Sequence, residues 1–565
     1  MHLTIGVTGH RDLVANEVPL LKQAVRNFFL RLRREFPNLD LQLITPLAEG
    51  SDQLVTEVAL ELGIALIVPL PMPQAEYEKD FSSDAAVESF RQSLAKARII
   101  HLRNLPADGS GPVTMADRDR QYAQLGIFIS NHSQVLLAIW DGKPSSAVGG
   151  TASVVKYHLT AVMPGYSVAE DSPNLLADNE NDLAYHIVCS RDRFDGRPKE
   201  GLEPLQASWV TAHFTQQSGE HMPLDYEVMM HRLQDFKRDA DKYAALIEAE
   251  GANLLADAPD LELPEGTTTI AERHKVADWL AIHFQKRISL GLIAVHSIAV
   301  LIGLIFIVYS EFDGFDFLLK FFLVAFLAGF LLYKIGERRQ WHRKHLDYRA
   351  LAEGLRVQFY WSLAGVIDVQ SAEFAYDNFL QKQDVDLGWI RHVMRNVSLA
   401  RSRHQVPPEK WVDWVVEQWV GDETSQTGQL AYYKRKEVEK TKRFRLTTNL
   451  GKLALWAGIA IAIVLMVEGP DMSDYQQNLL LVLAGILPLM AGVRDAYSHK
   501  KAEKELIKQY RFMGGILANA RRLLDGSDDV DFRRRVLKAL GNAALEEDAE
   551  WILMHRERPL EHTGL

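Results

Sequence analysis

Apolar and polar positions follow two different patterns along this chain, and the change between them divides it. Up to about residue 200, short apolar runs at 3–8, 41–45, 65–70, 99–102 and 135–140 read as strands buried on both faces. Between them, 17–36, 51–62 and 85–97 carry the periodicity of amphipathic helices. Such alternation predicts an α/β Rossmann-like domain, a mostly parallel sheet with helices on both faces. The stretch 162–181, rich in Pro, Gly, Asp and Asn, reads as a loop excursion, and 184–188 as a last strand. Residues 225–285 read as helical, apart from a connector at 257–266 that holds two prolines.

The second half is an all-α pattern of another kind. Residues 288–309 carry no formal charge and are long enough to cross a bilayer as a helix. Shorter apolar stretches follow at 317–333 (interrupted by Lys320), 453–467 and 479–493. They form two hairpins, four transmembrane helices in all. The turn at 310–316 holds Glu311, Asp313 and Asp316, and that at 468–474 holds Glu468, Asp471 and Asp474, with no basic residue in either. The opposite ends are basic: Lys286 and Arg287; Lys334, Arg338, Arg339, Arg343 and Lys344; Lys440, Lys442, Arg443, Arg445 and Lys452; Arg494, Lys500, Lys501 and Lys504. By the positive-inside rule both turns face away from the cytoplasm, and both termini lie in it with 340–445. Within the spans, His296 suits a helix–helix hydrogen bond or a lined pathway, and Pro488 a kink.

The membrane half also repeats itself. LDYRALAEGLR follows the first hairpin and KQYRFMGGILA the second, and aligning Tyr348-Arg349 with Tyr510-Arg511 gives an offset of 162 residues. The same offset superposes the first and third spans. The expected organisation is a nucleotide-binding domain at 1–200, a helical connector at 201–285, hairpins at 286–340 and 449–500, a cytosolic helical region at 341–448 and C-terminal helices at 501–565.

Composition narrows the class. With 24% charged residues and a mean hydropathy of -0.11, the chain is too polar for a polytopic transporter and suits large aqueous domains on a modest membrane part. A net charge of -11 argues against a nucleic-acid partner. Cys189, the sole cysteine, excludes an intramolecular disulfide. No signal peptide is expected at the start, so the first internal span should direct insertion.

Three glycine-containing turns stand where strands should end. Gly6-Val-Thr8-Gly9-His10-Arg11 follows the first strand, Pro46-Leu-Ala-Glu49-Gly50-Ser51-Asp52 joins a strand to a helix, and Trp140-Asp141-Gly142-Lys is followed by Gly149-Gly150-Thr151 at a helix start. Ligands of open parallel sheets bind beyond the carboxyl ends of the strands, where glycines let a phosphate reach backbone N–H groups. His10 and Arg11 are candidates for phosphate or ribose, with an Arg11–Asp12 pair as the structural alternative. Glu49 and Asp52 suit ribose hydroxyls, or Asp52 a helix cap. Tyr77 could stack on a base, with Phe81 in the core. Arg118 and Tyr122 are further contacts, or part of a solvated helix. No zinc pattern or Walker loop is present, so no metal is expected.

In their order, GVTGHR, PLAEGSD, LPMPQAEYEKDF, LLAIWDGK and GGT resemble the SLOG superfamily, related to LOG phosphoribohydrolases and DprA-type proteins. The resemblance covers about residues 1–200. The membrane half is similar to SLATT-type two-helix modules, by its architecture and its YRALAEGLR segment. What these resemblances imply is a nucleotide or NAD-derived small molecule as ligand, with no resident cofactor, in a protein of the bacterial inner membrane. The apolar spans make the lipid bilayer a partner, and four short helices per chain enclose so little that a homo-oligomer is expected. The implied function is an effector of antiviral defence that perturbs the membrane on sensing a nucleotide-derived signal. LOG enzymes carry a catalytic Glu three positions after the Thr of their phosphate loop, whereas this chain has Val154 there. No catalytic residue is therefore assigned, which favours a sensor over a nucleotide hydrolase or N-glycosidase unless Glu49, Asp52 or Asp141 supplies an acid. A non-catalytic membrane scaffold is the third reading.

Overall fold

The computed structural model describes residues 1–102, 115–145, 147–163, 183–211, 217–366, 385–400 and 407–556. The expected loop at 162–181 lies outside the described residues from 164 onward. The chain forms two compact units, 1–276 with 354–408, and 277–353 with 409–565.

In the first unit β1 (His2–Gly9), α1 (Val18–Glu35), β2 (Asp40–Ile44), α2 (Ser51–Glu61) and β3 (Ala65–Leu70) follow the expected alternation. After them come α3 (Gln74–Tyr77), α4 (Asp84–Leu94), β4 (Arg98–His101), α5 (Met115–Asn131), β5 (Val135–Trp140), α6 (Thr151–Thr160) and β6 (Ala184–Val188). The sheet order is β4-β3-β2-β1-β5-β6, all parallel. β1 and β5 are buried along nearly their whole length, which is why they read as unbroken apolar runs. α1 buries Leu21, Val25, Phe28, Phe29 and Leu32, a single stripe at helical spacing.

The sheet does not end at residue 200. β7 (Ala207–Thr211) pairs antiparallel with β6, and β8 (Gln217–Gly219) with β7, so the region expected as a purely helical connector opens with two strands, the second at the sheet edge. Trp209 in β7 explains their place: it is 1% exposed, with Phe28 at 6.0 Å and Tyr185 at 4.9 Å. α7 (Leu224–Lys242) and α8 (Ala244–Glu250) are helical as expected. The part of the expected cytosolic region at 388–398 joins this unit as well. It forms α12 (Gly388–Ser398; α9 to α11 are given below) and meets the sheet side through Asn396, 3.2 Å from Thr4, and Ser398, 3.3 Å from His132.

The second unit is helical: α9 (Thr267–Glu311, from Ala277 onward), α10 (Leu318–Arg339), α11 (Trp341–Ala364, to Glu353), α13 (Lys410–Val415), α14 (Gly428–Glu468), α15 (Asp474–Lys500), α16 (Glu503–Asp525) and α17 (Val530–Arg556). α9, α10, α14 and α15 are each long and apolar enough to cross a membrane, with almost nothing of their apolar stretches buried, so this is a multi-pass membrane protein. Small residues let the spans approach. A Cβ at Gly303 of α9 would lie 2.1 Å from Leu489 of α15, and one at Gly458 of α14 would lie 2.8 Å from Pro488. His296 spends its Nδ1 on the Leu292 carbonyl at 2.8 Å and meets the Tyr497 ring edge-on at 5.3 Å.

The repeat has a backbone signature. α10 ends on Gln340 at φ 50° and α16 begins after Ala502 at φ 47°, two non-glycine residues in the left-handed region at the same offset as the YR pair. Both join a span to the helix that follows it.

Candidate functional site

The strand order reverses between β1 and β5, and ligands of such sheets bind in the crevice beyond that point. A cavity of about 560 Å³ opens there. Ten of the expected residues line it: Thr8, Gly9, His10, Arg11, Asp52, Tyr77, Asp141, Gly149, Gly150 and Thr151. Three turns distant in sequence therefore converge on one volume. His10 and Asp141 end the two central strands, with Nε2 to Oδ1 at 3.0 Å. Burial opposes ionisation of Asp141, but the close His10 ring, the Lys143 backbone N–H and the Arg191 charge outweigh it and hold the carboxyl below the usual range.

The glycine loop is tied to β1 directly. Thr151 Oγ1 donates to the Gly9 carbonyl at 2.9 Å. Gly149 sits at φ 72°, and a Cβ there would lie 2.7 Å from the Tyr122 and Ala123 backbone, so only glycine fits. Gly150 precedes the first turn of α6, whose free N–H groups and dipole favour an anion. Val154, 4% exposed, backs this wall with no carboxylate to offer.

Asp52 and Tyr77 form the other side. Asp52 is 5% exposed, and burial lifts its carboxyl to about 7 against the attraction of Arg11. It does not cap α2. Tyr77 is enclosed by Phe81 (5.5 Å), Phe90 (5.7 Å) and Tyr122 (6.4 Å), so its ring offers no face for stacking. Its buried hydroxyl has no hydrogen-bond partner among the described residues and remains available to a ligand. Arg11 lies 6.0 Å over the Tyr122 ring and bonds the Asp80 carbonyl at 3.4 Å. Asp12 pairs instead with Arg191, at 2.8 Å.

The other five expected residues serve the walls. A Cβ on Gly6 would lie 2.2 Å from Ser133 Oγ, so this glycine seats α5 on β1. Glu49 accepts from the Ser82 N–H at 3.0 Å, outside the cavity. Gly50, at φ 86°, lies against the Arg11 backbone. Ser51 Oγ donates to the His10 carbonyl at 2.7 Å and fixes that turn. Gly142, at φ 77°, faces Leu202. Arg118 pairs with Asp80 and does not line the cavity, whereas Tyr122 does.

Sequence reading missed the basic rim. Lys143, Arg191 and Arg193 line the cavity, and Arg193 stands 4.0 Å from Asp141 Oδ2. The signal was the run RDRFDGR at 191–197, two residues beyond β6, unweighted because the sequence alone does not place β6 beside β5. Among the described residues no group of His, Cys, Asp or Glu could hold a metal ion. The arrangement suits an anionic group at the glycine loop and basic rim, with Asp52 and Tyr77 as polar groups of the opposite wall. No family model, curated protein or solved structure matches this chain.

Proposed function

We propose that the chain is a membrane effector that senses a nucleotide-derived signal through its SLOG-like domain and permeabilises the bacterial inner membrane in antiviral defence. The observation that carries this reading is one cavity combining an anion-receiving glycine loop with the apolar Val154 at its wall, in a chain with four membrane-spanning helices. A continuous helix, Thr267–Glu311, contains residues of both units and offers a covalent route between site and membrane. The ligand must bind one conformation more tightly than the other for any shift to follow. Four helices per chain enclose little, so the conducting form is a homo-oligomer, with both termini cytoplasmic.

The test is full-length protein in liposomes, challenged with a nucleotide and NAD-derivative panel. Stoichiometric binding without turnover, with ligand-dependent dye release, is the expected result. Turnover with sealed liposomes overturns it. The hydrolase reading has one observation in its favour: Asp52, with its carboxyl lifted to about 7 at the cavity wall, is placed and tuned as a proton donor or acceptor.

A further inference from the structure

The three carboxylates that the glycine turns bring toward the cavity differ in what already occupies them. Glu49 is spent on the Ser82 N–H and hydroxyl, outside the cavity. Asp52 takes the Thr45 hydroxyl and the Ala48 N–H. Asp141 is left incomplete. Its Oδ1 has the Lys143 N–H at 3.0 Å and the His10 ring at 3.0 Å. Its Oδ2 is buried and has no hydrogen-bond partner among the described residues. Arg193 stands 4.0 Å from that oxygen, too far for a hydrogen bond, and is itself about half exposed. The whole residue is 1% exposed, and a buried carboxylate oxygen without a donor is costly enough to call for a physical reason.

An ionised carboxylate accepts and never donates. A phosphate at Oδ2 would meet like charge, so the group that completes it carries an O–H or N–H. Position narrows the choice. Asp141 follows β5 and meets His10, His10 follows Gly9, and the Gly9 carbonyl holds Thr151 of the glycine loop at 2.9 Å. The open acceptor is thus linked through two contacts to the loop proposed for phosphate, and in a nucleotide the group a few bonds from the phosphate is the sugar. Resting on the nucleotide reading above, we infer that Asp141 Oδ2 accepts a hydrogen bond from a ribose hydroxyl, and that the cavity thereby selects ribonucleotides over their deoxy counterparts. The ribose role that the sequence suggests for Glu49 and Asp52 passes to Asp141.

The test is calorimetric titration of full-length protein in nanodiscs with AMP, 2′-deoxy-AMP and 3′-deoxy-AMP. Wild type should bind AMP and lose at least about tenfold in affinity with one of the two deoxy forms, which identifies the hydroxyl. Asp141→Asn keeps an acceptor for the Lys143 N–H but sets an amide N–H in the place of Oδ2, where a hydroxyl finds nothing to donate to. This variant should bind AMP about as weakly as wild type binds that deoxy form, and should no longer discriminate. Arg193→Gln should weaken all three ligands alike and keep the preference. Equal affinity of wild type for all three overturns the inference and leaves the nucleotide reading standing. A preference that survives in Asp141→Asn, or vanishes in Arg193→Gln, also overturns it. Should wild type bind none of the three, the inference falls, and the nucleotide and NAD-derivative panel named above decides the nucleotide reading separately.

Discussion

Replacing Asp52 by Asn probes the cavity through the physics that distinguishes it. Burial raises the Asp52 carboxyl from the ordinary 3.8 to about 7 in the folded protein. Between those two values folding takes up a proton. The group's contribution to stability is complete below 3.8 and is lost as pH rises through about 7. The difference corresponds to ~4 kcal/mol, at 1.36 kcal/mol for each tenfold change. Wild type bears that whole cost at pH 8, whereas a neutral amide of the same shape bears none. Thermal unfolding of both proteins in nanodiscs, from pH 4 to pH 8, should show a melting-temperature advantage for Asp52→Asn that is near zero at pH 4 and greatest at pH 8. The comparison cancels every other titrating group. An advantage that does not vary with pH refutes the reasoning, and so does a variant less stable at pH 8, because Asp52 would then be an ionised and favourable partner of Arg11. A carboxyl retained at such a cost points to ligand recognition, so the same substitution should weaken nucleotide binding.

Gly150→Ala should bind nucleotide normally, since a Cβ there lies an ordinary 3.4 Å from Ala147, while Gly150→Glu should abolish binding by setting a carboxylate where an anion belongs; unchanged affinity in the Glu variant removes this loop as the phosphate site. Gly149→Ala, at φ 72° against the Tyr122 backbone, should lower stability by more than about 1 kcal/mol in the same melts. Reporter fusions at Gly314 and Gly469, the two acidic turns, should report the non-cytoplasmic side, and a cytoplasmic signal at either would discard the proposed topology. Leu301→Lys, on an exposed face of α9, or Ile461→Lys should eliminate membrane depolarisation on induction with the signal, given an insertion cost of ~2.5–3.5 kcal/mol.

The central strands were legible because a parallel strand buried on both faces is one unbroken apolar run, and β1 and β5 have no polar face to blur it. The four spans were legible for a related reason: lipid imposes length and apolarity on a segment whatever its neighbours are. The repeat was visible in the YR segments, and the left-handed pair Gln340 and Ala502 gives it a backbone form that no residue type announces. Tertiary structure decided the rest. Gly6, Gly50, Gly142 and Gly150 look alike in sequence, yet three of them seat or turn the backbone and only Gly150 lines the cavity. Arg191 and Arg193 enter the site because β6 pairs with β5, a register set by the whole sheet. α12 carries Arg391, His392 and Arg395, a composition that suggests a solvated helix, and all three are buried in the unit that holds the sheet, whose first strand lies almost 400 residues earlier in the chain. Local pattern records the solvent a segment must face on its own; contacts between distant segments decide which polar side chains are enclosed, and that determined where this site lies.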